Sequence, residues 1–371
     1  MTDSLPNSRT AASKRLLLVK FGAIGDVVMT IPGAYAMHQA GYAVDWLCSE
    51  AVAPILGLYP WIHTIVVDDQ KLLRGSSFEK LLAMSGLWRR LAGARYDVCA
   101  TMYYDSRYGL LTLPVRARRK LMLSRLDRRM RLLPGRHHTD EFARILLGRK
   151  DDEMPSQLMP IRAEGLPQSP LPREPEKRRI VIVPAGARNT VRDDALRRWP
   201  VESYVVLAQV LIEQGHEVVL AGGPGDVWAS EAFSGIPVTD LIAKISLLEM
   251  LALLDSADVT VTHDTGPLHL AGLTSTAIVT IFGPTDPRGR LPQRANCIAL
   301  WGGEGFACRP CYDDRDYADC SHNGCIRQIT PSMVLEQVAR LLEARLQGRT
   351  VLPEVIVPRH TPLISIAEVS V

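Results

Sequence analysis

Apolar residues fall along this chain in two alternating rhythms: short unbroken runs that end at glycine or a polar residue, and longer stretches with helical spacing. RLLLVKF (15–21) ends at Gly22 and reads as a buried strand, with a helix expected from about Asp26 to Gln39. AVDWL (43–47), HTIVVD (63–68) and YDVCATMYY (96–104) read as further strands with helical segments between them. Residues 151–178 break the rhythm: six prolines and little periodicity mark a linker. The pattern then restarts with RIVIVPAG (179–186), HEVVLAGG (216–223), VTVTHD (259–264) and AIVTIFG (277–283), and helices are expected over 201–214, 246–257 and 331–347. Strands alternating with helices predict parallel sheets joined by right-handed crossovers. The expected fold class is α/β, with two Rossmann-like halves facing each other across a cleft. The boundaries drawn are 1–160 for the first half, 161–178 for the linker, 179–347 for the second half and 348–371 for a tail.

Composition narrows the function classes. The chain has 371 residues, 47% hydrophobic and 22% charged, with a net charge of +3, which excludes a disordered or collagen-like chain and gives no reason to expect a nucleic-acid partner. Aromatics at 6% do not favour base-stacking platforms. LLLVKFGAIGDVVMTIPGAYA imitates a signal peptide, but Lys20 and Asp26 interrupt it, so it reads as the first strand and helix of a cytoplasmic protein. Seven cysteines in such a chain are expected as thiols or metal ligands rather than disulfides.

In sheets of this kind ligands sit beyond the carboxyl ends of the strands, so the chemistry is sought in the loops there. FGAIGD (21–26) is a tight strand-to-helix turn, and Asp26 at the helix start is either an N-cap or a general base. HDTGPLHLAG (263–272) places Asp264, Thr265, Gly266 and Pro267 at a second helix start, where exposed amides suit a phosphate or where the loop is simply well capped. His263 and His269 flank that turn, and His269 either faces the cleft or packs. GARNTVRDDALRRWP (186–200) crowds arginines after a strand, where guanidinium groups suit a diphosphate. No Walker A, HExxH or GxSxG sequence occurs, which argues against P-loop phosphoryl transfer, zincin chemistry and the commonest serine-hydrolase design. No complete GxGxxG follows either first strand, which makes a Rossmann oxidoreductase the weakest alternative.

KFGAIGDVVMTIPGAYAM, RRWP, KISLLEMLALLDSAD with HDTGPLHLAG, and FGPTDP (282–287) together resemble the ADP-heptose:lipopolysaccharide heptosyltransferases, glycosyltransferase family 9, in the right order over most of residues 15–345. The resemblance implies a GT-B fold and inverting, metal-independent transfer of heptose from ADP-heptose to the lipopolysaccharide inner core, with no cofactor required. It places Asp26 on the catalytic aspartate, Arg197 where the family usually has a phosphate-binding lysine, with Arg198 able to share the role, and Asp264, Thr265, Gly266 and Pro267 on the donor-contacting turn. Ile245 falls on a position that packs on the adenine, and Thr190 lies in the arginine-rich loop on the donor side. Displacing a nucleoside diphosphate from an anomeric carbon calls for cationic neutralisation of the leaving group and a carboxylate for the acceptor's proton, which agrees with this set. The same fold with another nucleotide sugar or acceptor, and a non-catalytic glycan-binding protein on the scaffold, are the alternatives.

Two features stand outside that constellation. Cys308, Cys311, Cys320 and Cys325 lie within 18 residues after FGPTDP and read either as a structural zinc or iron site or as free thiols; Cys48, Cys99 and Cys297, on strand-like segments, read as core. Residues 116–136 carry nine Lys/Arg against one Asp. This is either a solvated helix face over a core stripe or, on the acceptor side, a surface for an anionic glycolipid and the inner-membrane face, with Arg118, Arg119, Arg128 and Arg129 as the residues expected to engage it.

Overall fold

The computed structural model describes residues 14–150, 162–188, 193–312 and 316–358. The first half is built from β1 (Lys14–Val19), α1 (Ile24–Gln39), β2 (Tyr42–Ser49), α2 (Ala53–Leu56), β3 (Ile62–Val67), α3 (Asp69–Arg74), α4 (Ser77–Leu91), β4 (Arg95–Thr101), β5 (Arg116–Met122) and α5 (His138–Leu147). Its sheet is all parallel, in the order β3-β2-β1-β4-β5. Alternate residues of β1 feed opposite cores: Leu16 and Leu18 pack under α1 and α5, while Leu17 and Val19 pack under α3 and α4. α1 is buried almost all round, as its nearly continuous apolar run requires.

The second half contains β6 (Arg179–Ile182), α6 (Val201–Glu213), β7 (Glu217–Leu220), β8 (Thr239–Asp240), α7 (Leu247–Ser256), β9 (Val259–His263), α8 (Gly266–Gly272), β10 (Ala277–Phe282), β11 (Cys297–Trp301), α9 (Gly324–Arg327), α10 (Pro331–Leu346) and β12 (Glu354–Ile356). Its seven parallel strands run β12-β11-β10-β9-β6-β7-β8. β12 lies inside the stretch read from sequence as a tail; its pairing with β11 gives that stretch an ordered start.

The described part of the proline-rich segment, residues 162–178, is fastened to the second half. The fully buried Arg179 guanidinium donates to Glu217 Oε2 at 2.8 Å and to the Leu171 carbonyl at 3.0 Å, and Arg173 pairs with buried Asp258. The two halves share one continuous apolar core, running from the α1 face of the first sheet to α7 and α8 of the second. Across that seam His137 Nε2 donates to the Leu291 carbonyl at 2.9 Å, and Gln293 donates to Asp140 Oδ2 at 3.2 Å. His137 Nδ1 accepts from the Thr139 amide at 3.2 Å, so the neutral Nε2–H tautomer fits both partners.

The basic segment departs from the helix considered for it. Arg116–Met122 is the edge strand β5, and Arg128–Met130 is a short 3-10 turn. An edge strand is paired on one side only, so Arg116, Arg118, Arg119 and Lys120 stay exposed while Leu121 alone is buried. Three of the seven cysteines, Cys48, Cys99 and Cys297, are buried in strands of the sheets.

Candidate active site

Asp26 is the third residue of α1 rather than its cap; Ala23 occupies the cap position and makes no side-chain cap bond. The Asp26 carboxylate instead accepts from Lys20 Nζ at 2.8 Å, with the Asp26 side chain 36% exposed at the mouth of the loop. Lys20 itself is buried, donates also to the Met102 carbonyl at 3.1 Å, and lies 4.3 Å from the Tyr103 ring centre. The Tyr103 hydroxyl accepts from the Phe21 amide at 2.8 Å and the Gly22 amide at 3.1 Å, which fixes the loop between β1 and α1. Burial works to raise the Asp26 pKa, but the charge and hydrogen bond of Lys20, with the charge of Arg290, outweigh it and hold the carboxyl below its ordinary value. The group is therefore a carboxylate at neutral pH.

The second half meets this loop directly. A Cβ on Gly25 would lie 2.5 Å from Cδ2 of His269, so only glycine lets the start of α1 approach α8 this closely. His269 thus packs at the seam, and burial pushes its pKa down to about 4, so it is neutral at pH 7. Asp264 is buried at the end of β9 and is not a cap either, since Thr265 holds that position. Its Oδ2 accepts from Thr285 Oγ1 at 2.7 Å and lies 3.4 Å from Arg197 Nη1 and 3.9 Å from Arg290 Nε. Burial would raise its pKa; Arg197 first and Arg290 next bring it down to about 2. Thr265 Oγ1 accepts from the Ala187 amide at 2.8 Å and ties the ends of β6 and β9 together. Gly186 beside it has φ +104, and a Cβ there would lie 2.5 Å from that same oxygen. Gly266 and Pro267 form the first turn of α8, with Gly266 opposite Ile24 of α1.

The two neighbouring arginines divide the work. Arg197 donates from Nε to the Tyr317 hydroxyl at 2.6 Å and pairs with Asp194 as well as Asp264. Arg198 turns away: its Nε donates to the Gly186 carbonyl at 2.8 Å, it pairs with Asp193, and its guanidinium lies 5.6 Å from the Trp228 ring. So Arg197 and not Arg198 faces Asp264. Ile245 is half-buried against the shared core. Thr190, with Asn189 and Arg192, lies outside the described residues.

Four residues of this centre escaped the sequence reading. Arg290, only 12% exposed, bears on both Asp26 and Asp264 and is the cation common to the two halves. Lys20 was visible only as a charge breaking an apolar run. His138 is half-buried at the seam, and desolvation first and Arg290 second hold its pKa well below the ordinary value. Tyr317, paired across a bridge with Tyr312, lays an aromatic pair against the arginines, since the Tyr312 ring lies 5.9 Å from Arg197 and 5.6 Å from Arg290. The arrangement sets an ionised carboxylate on one half against a cationic, hydrogen-bonded pocket on the other.

The family described as glycosyltransferase family 9 (heptosyltransferase) matches residues 70–322, more than half of the chain. The chain belongs to that family. Lipopolysaccharide heptosyltransferase 1 of Pseudomonas aeruginosa is 25% identical over 365 residues, covering 89% of this chain and 98% of that protein. Among solved structures, a family 9 glycosyltransferase from Veillonella parvula superposes with TM-score 0.68 at 19% identity, covering 89% of this chain and 97% of that one. The E. coli ADP-heptose lps heptosyltransferase II does so with TM-score 0.66 at 18% identity, covering 90% and 99%. The architecture is the GT-B fold of these glycosyltransferases.

In this family 9 chain the four clustered cysteines follow β11, with Cys308, Cys311 and Cys320 in irregular segments and Cys325 on α9. Burial pushes the Cys325 thiol up to about 11, and Cys311, Cys320 and Cys308 add to the rise, so the four are neighbours. Cys325 Sγ lies 3.7 Å from Asn323 Oδ1, and Cys320 Sγ accepts from the Asn323 amide at 3.3 Å. Among the described residues no group of three or more His, Cys, Asp or Glu is arranged to hold a metal ion. On the opposite side, Arg118 is 85% exposed and lies 3.4 Å from Asp97, while Arg119, Arg128 and Arg129 are also exposed. The last two project from a loop held by buried Arg144, which donates to the carbonyls of Arg129 at 3.0 Å and Arg131 at 2.7 Å. None of the helices among the described residues is long and apolar enough to cross a membrane.

Proposed function

We propose that this protein transfers a heptose from ADP-heptose to the inner core of lipopolysaccharide with inversion at the anomeric carbon. The observation that carries the reading is Asp26: a carboxylate kept ionised by Lys20, half-exposed, and seated where the nucleotide-side half packs against its own helix. The donor and acceptor come from the relatives, one of them a lipopolysaccharide heptosyltransferase and another an ADP-heptose lps heptosyltransferase.

In the proposed step an acceptor hydroxyl gives its proton to an Asp26 oxygen as its own oxygen bonds to the anomeric carbon. The bond from that carbon to the diphosphate oxygen breaks, and its electron pair leaves with ADP. The developing charge is met by Arg197 and Arg290, which are preorganised by Asp264, Asp194 and Tyr317 rather than recruited during the reaction. The backbone amides of Thr265 and Gly266 complete the donor side of the proposal, Thr190 stays assigned to it from the sequence, and Ile245 offers an apolar surface for the base. Charge neutralisation by side chains means that no cofactor is called for. Arg118, Arg119, Arg128 and Arg129 are assigned to the anionic groups of the glycolipid acceptor. The enzyme would act at the cytoplasmic face of the inner membrane.

The test is ADP release by purified protein given lipopolysaccharide core acceptor and ADP-heptose, with UDP- and GDP-sugars in parallel. Acceptor-dependent release from ADP-heptose alone is expected. Turnover of a different nucleotide sugar would replace the donor, and stable acceptor binding with no turnover of any donor would favour a glycan-binding role.

A further inference from the structure

The first half carries an apolar surface that the proposed chemistry does not use. The first two turns of α4 stand clear of the sheet, while Leu87 and Leu91 near its other end enter the core. Phe78, Leu81 and Leu82 follow one another at helical spacing on the free part, and Leu110 and Leu113 are exposed on the adjoining 3-10 segment (Ser106–Thr112) and its C-cap; exposure runs from 51% for Leu110 to 73% for Phe78. The free end of α4 is nonetheless well formed. Ser76 and Glu79 close a capping box, with the Ser76 amide donating to Glu79 Oε2 at 2.8 Å. Trp88 Nε1 donates to the Leu110 carbonyl at 2.9 Å and joins α4 to the 3-10 segment. Single exposed leucines need no explanation, but several large apolar side chains exposed along one helix and along the segment bonded to it mark an interaction surface.

The charges beside it select the partner. Between Gln70 and Ala92 there are five Lys/Arg and one Glu. The 3-10 segment also abuts β5, where Gly109 approaches Met122, and β5 adds the exposed Arg116, Arg118, Arg119 and Lys120. Apolar anchors bordered by cations suit the headgroup–acyl boundary of an anionic leaflet. A second copy would set these cations against themselves, which disfavours self-pairing.

We propose that the free face of α4 and the Leu110–Leu113 segment seat the protein on an anionic lipid bilayer. The use of that seating rests on the reading of the acceptor as a membrane-anchored glycolipid. The 3-10 segment that carries Leu110 also carries Tyr108, whose ring stacks at 3.8 Å on Tyr103, the residue that fixes the Asp26 loop. Docking through this segment therefore brings the acceptor's headgroup level close to the proposed base.

The experiment is vesicle flotation of the full chain with phosphatidylethanolamine–phosphatidylglycerol vesicles and with neutral phosphatidylcholine vesicles. The wild-type protein is expected to float with the anionic vesicles, and the combined Phe78→Ser, Leu81→Ser and Leu82→Ser variant to lose at least tenfold of that binding. Added salt should weaken the wild-type binding without abolishing it. As a variant that keeps the apolar surface, Phe78→Trp is expected to shift its emission to the blue when anionic vesicles are added. Equal flotation of the serine variant, no flotation of the wild type, unmoved emission from the Phe78→Trp variant, or a dimer in sedimentation that the serine variant loses would each overturn the proposal. Transfer to a delipidated acceptor in solution reads the catalytic reading by itself: its absence in the wild type contradicts heptosyl transfer and leaves the flotation result standing.

Discussion

At Asp26 two opposing effects meet, and Lys20 decides between them. Burial alone favours the neutral acid; the ammonium 2.8 Å away favours the carboxylate and wins. The folded pKa thus lies below the ordinary value, and the carboxylate persists through neutral pH into the acid range. Lys20→Met removes the ammonium and leaves the burial, so the acid limb of kcat/KM should move to higher pH. A pH–rate profile checks this, and an unmoved limb would mean that Lys20 serves only to hold the loop. Asp26, Asp264 and Arg197 were legible in sequence because each lies in a loop just past an apolar strand. Arg290 and Tyr317 were not, since nothing in PRGR or in a cysteine-rich loop reports which way a side chain turns. The N-cap alternative for Asp26 failed for a geometric reason: the helix begins two residues earlier, at Ile24.

Among the elements, the central strands were readable because a parallel sheet covered on both faces demands unbroken apolar runs. β5 fails that rule at the sheet edge, where RARRK needs to bury little, and β12 is three residues long. α5 was missed although its glutamate and arginine organise the basic loop behind β5. Glu141 and Arg144 are both fully buried and pair at 2.8 Å, and Glu141 also accepts from the Leu133 amide at 2.9 Å. Arg144→Leu leaves Glu141 short of its closest cation and frees two carbonyls, so a loss of about 3–5 kcal/mol is expected in chemical denaturation. The exposed arginines of β5 and of the 3-10 turn after it should respond differently. Charge reversal at Arg118, Arg119, Arg128 and Arg129 is expected to raise the acceptor KM about tenfold, roughly 1.4 kcal/mol, with ADP affinity and stability unchanged. Unaltered acceptor kinetics would return the strand to ordinary surface.

Over the whole molecule, the shared core makes the seam between the halves part of the fold as well as the proposed reaction site. Three buried histidines lie at or near it: His137 and His269 have pKa values pushed down by burial to about 4, and His263 to about 3. In the unfolded chain each takes up a proton near pH 6.5. Their contribution to stability is therefore complete above about pH 6.5 and is lost as pH falls toward 4, because the unfolded chain then binds protons the fold excludes. Protonation of His137 would also convert Nδ1 from an acceptor into a donor facing the Thr139 amide. The melting temperature should fall by several degrees across that window, by calorimetry, and His137→Gln should flatten part of the slope. A flat profile would place these rings in contact with water.

The central claim is that Asp26 takes the acceptor's proton while the second half holds the nucleotide. Its most direct test is Asp26→Asn, with turnover and ADP affinity measured on the same preparation. Turnover should fall by about 10²–10⁴-fold, the usual cost of losing a general base, while ADP binds as it does to the wild type. Near-normal kcat in that variant would contradict the account and leave Asp26 as a partner for Lys20 and nothing more.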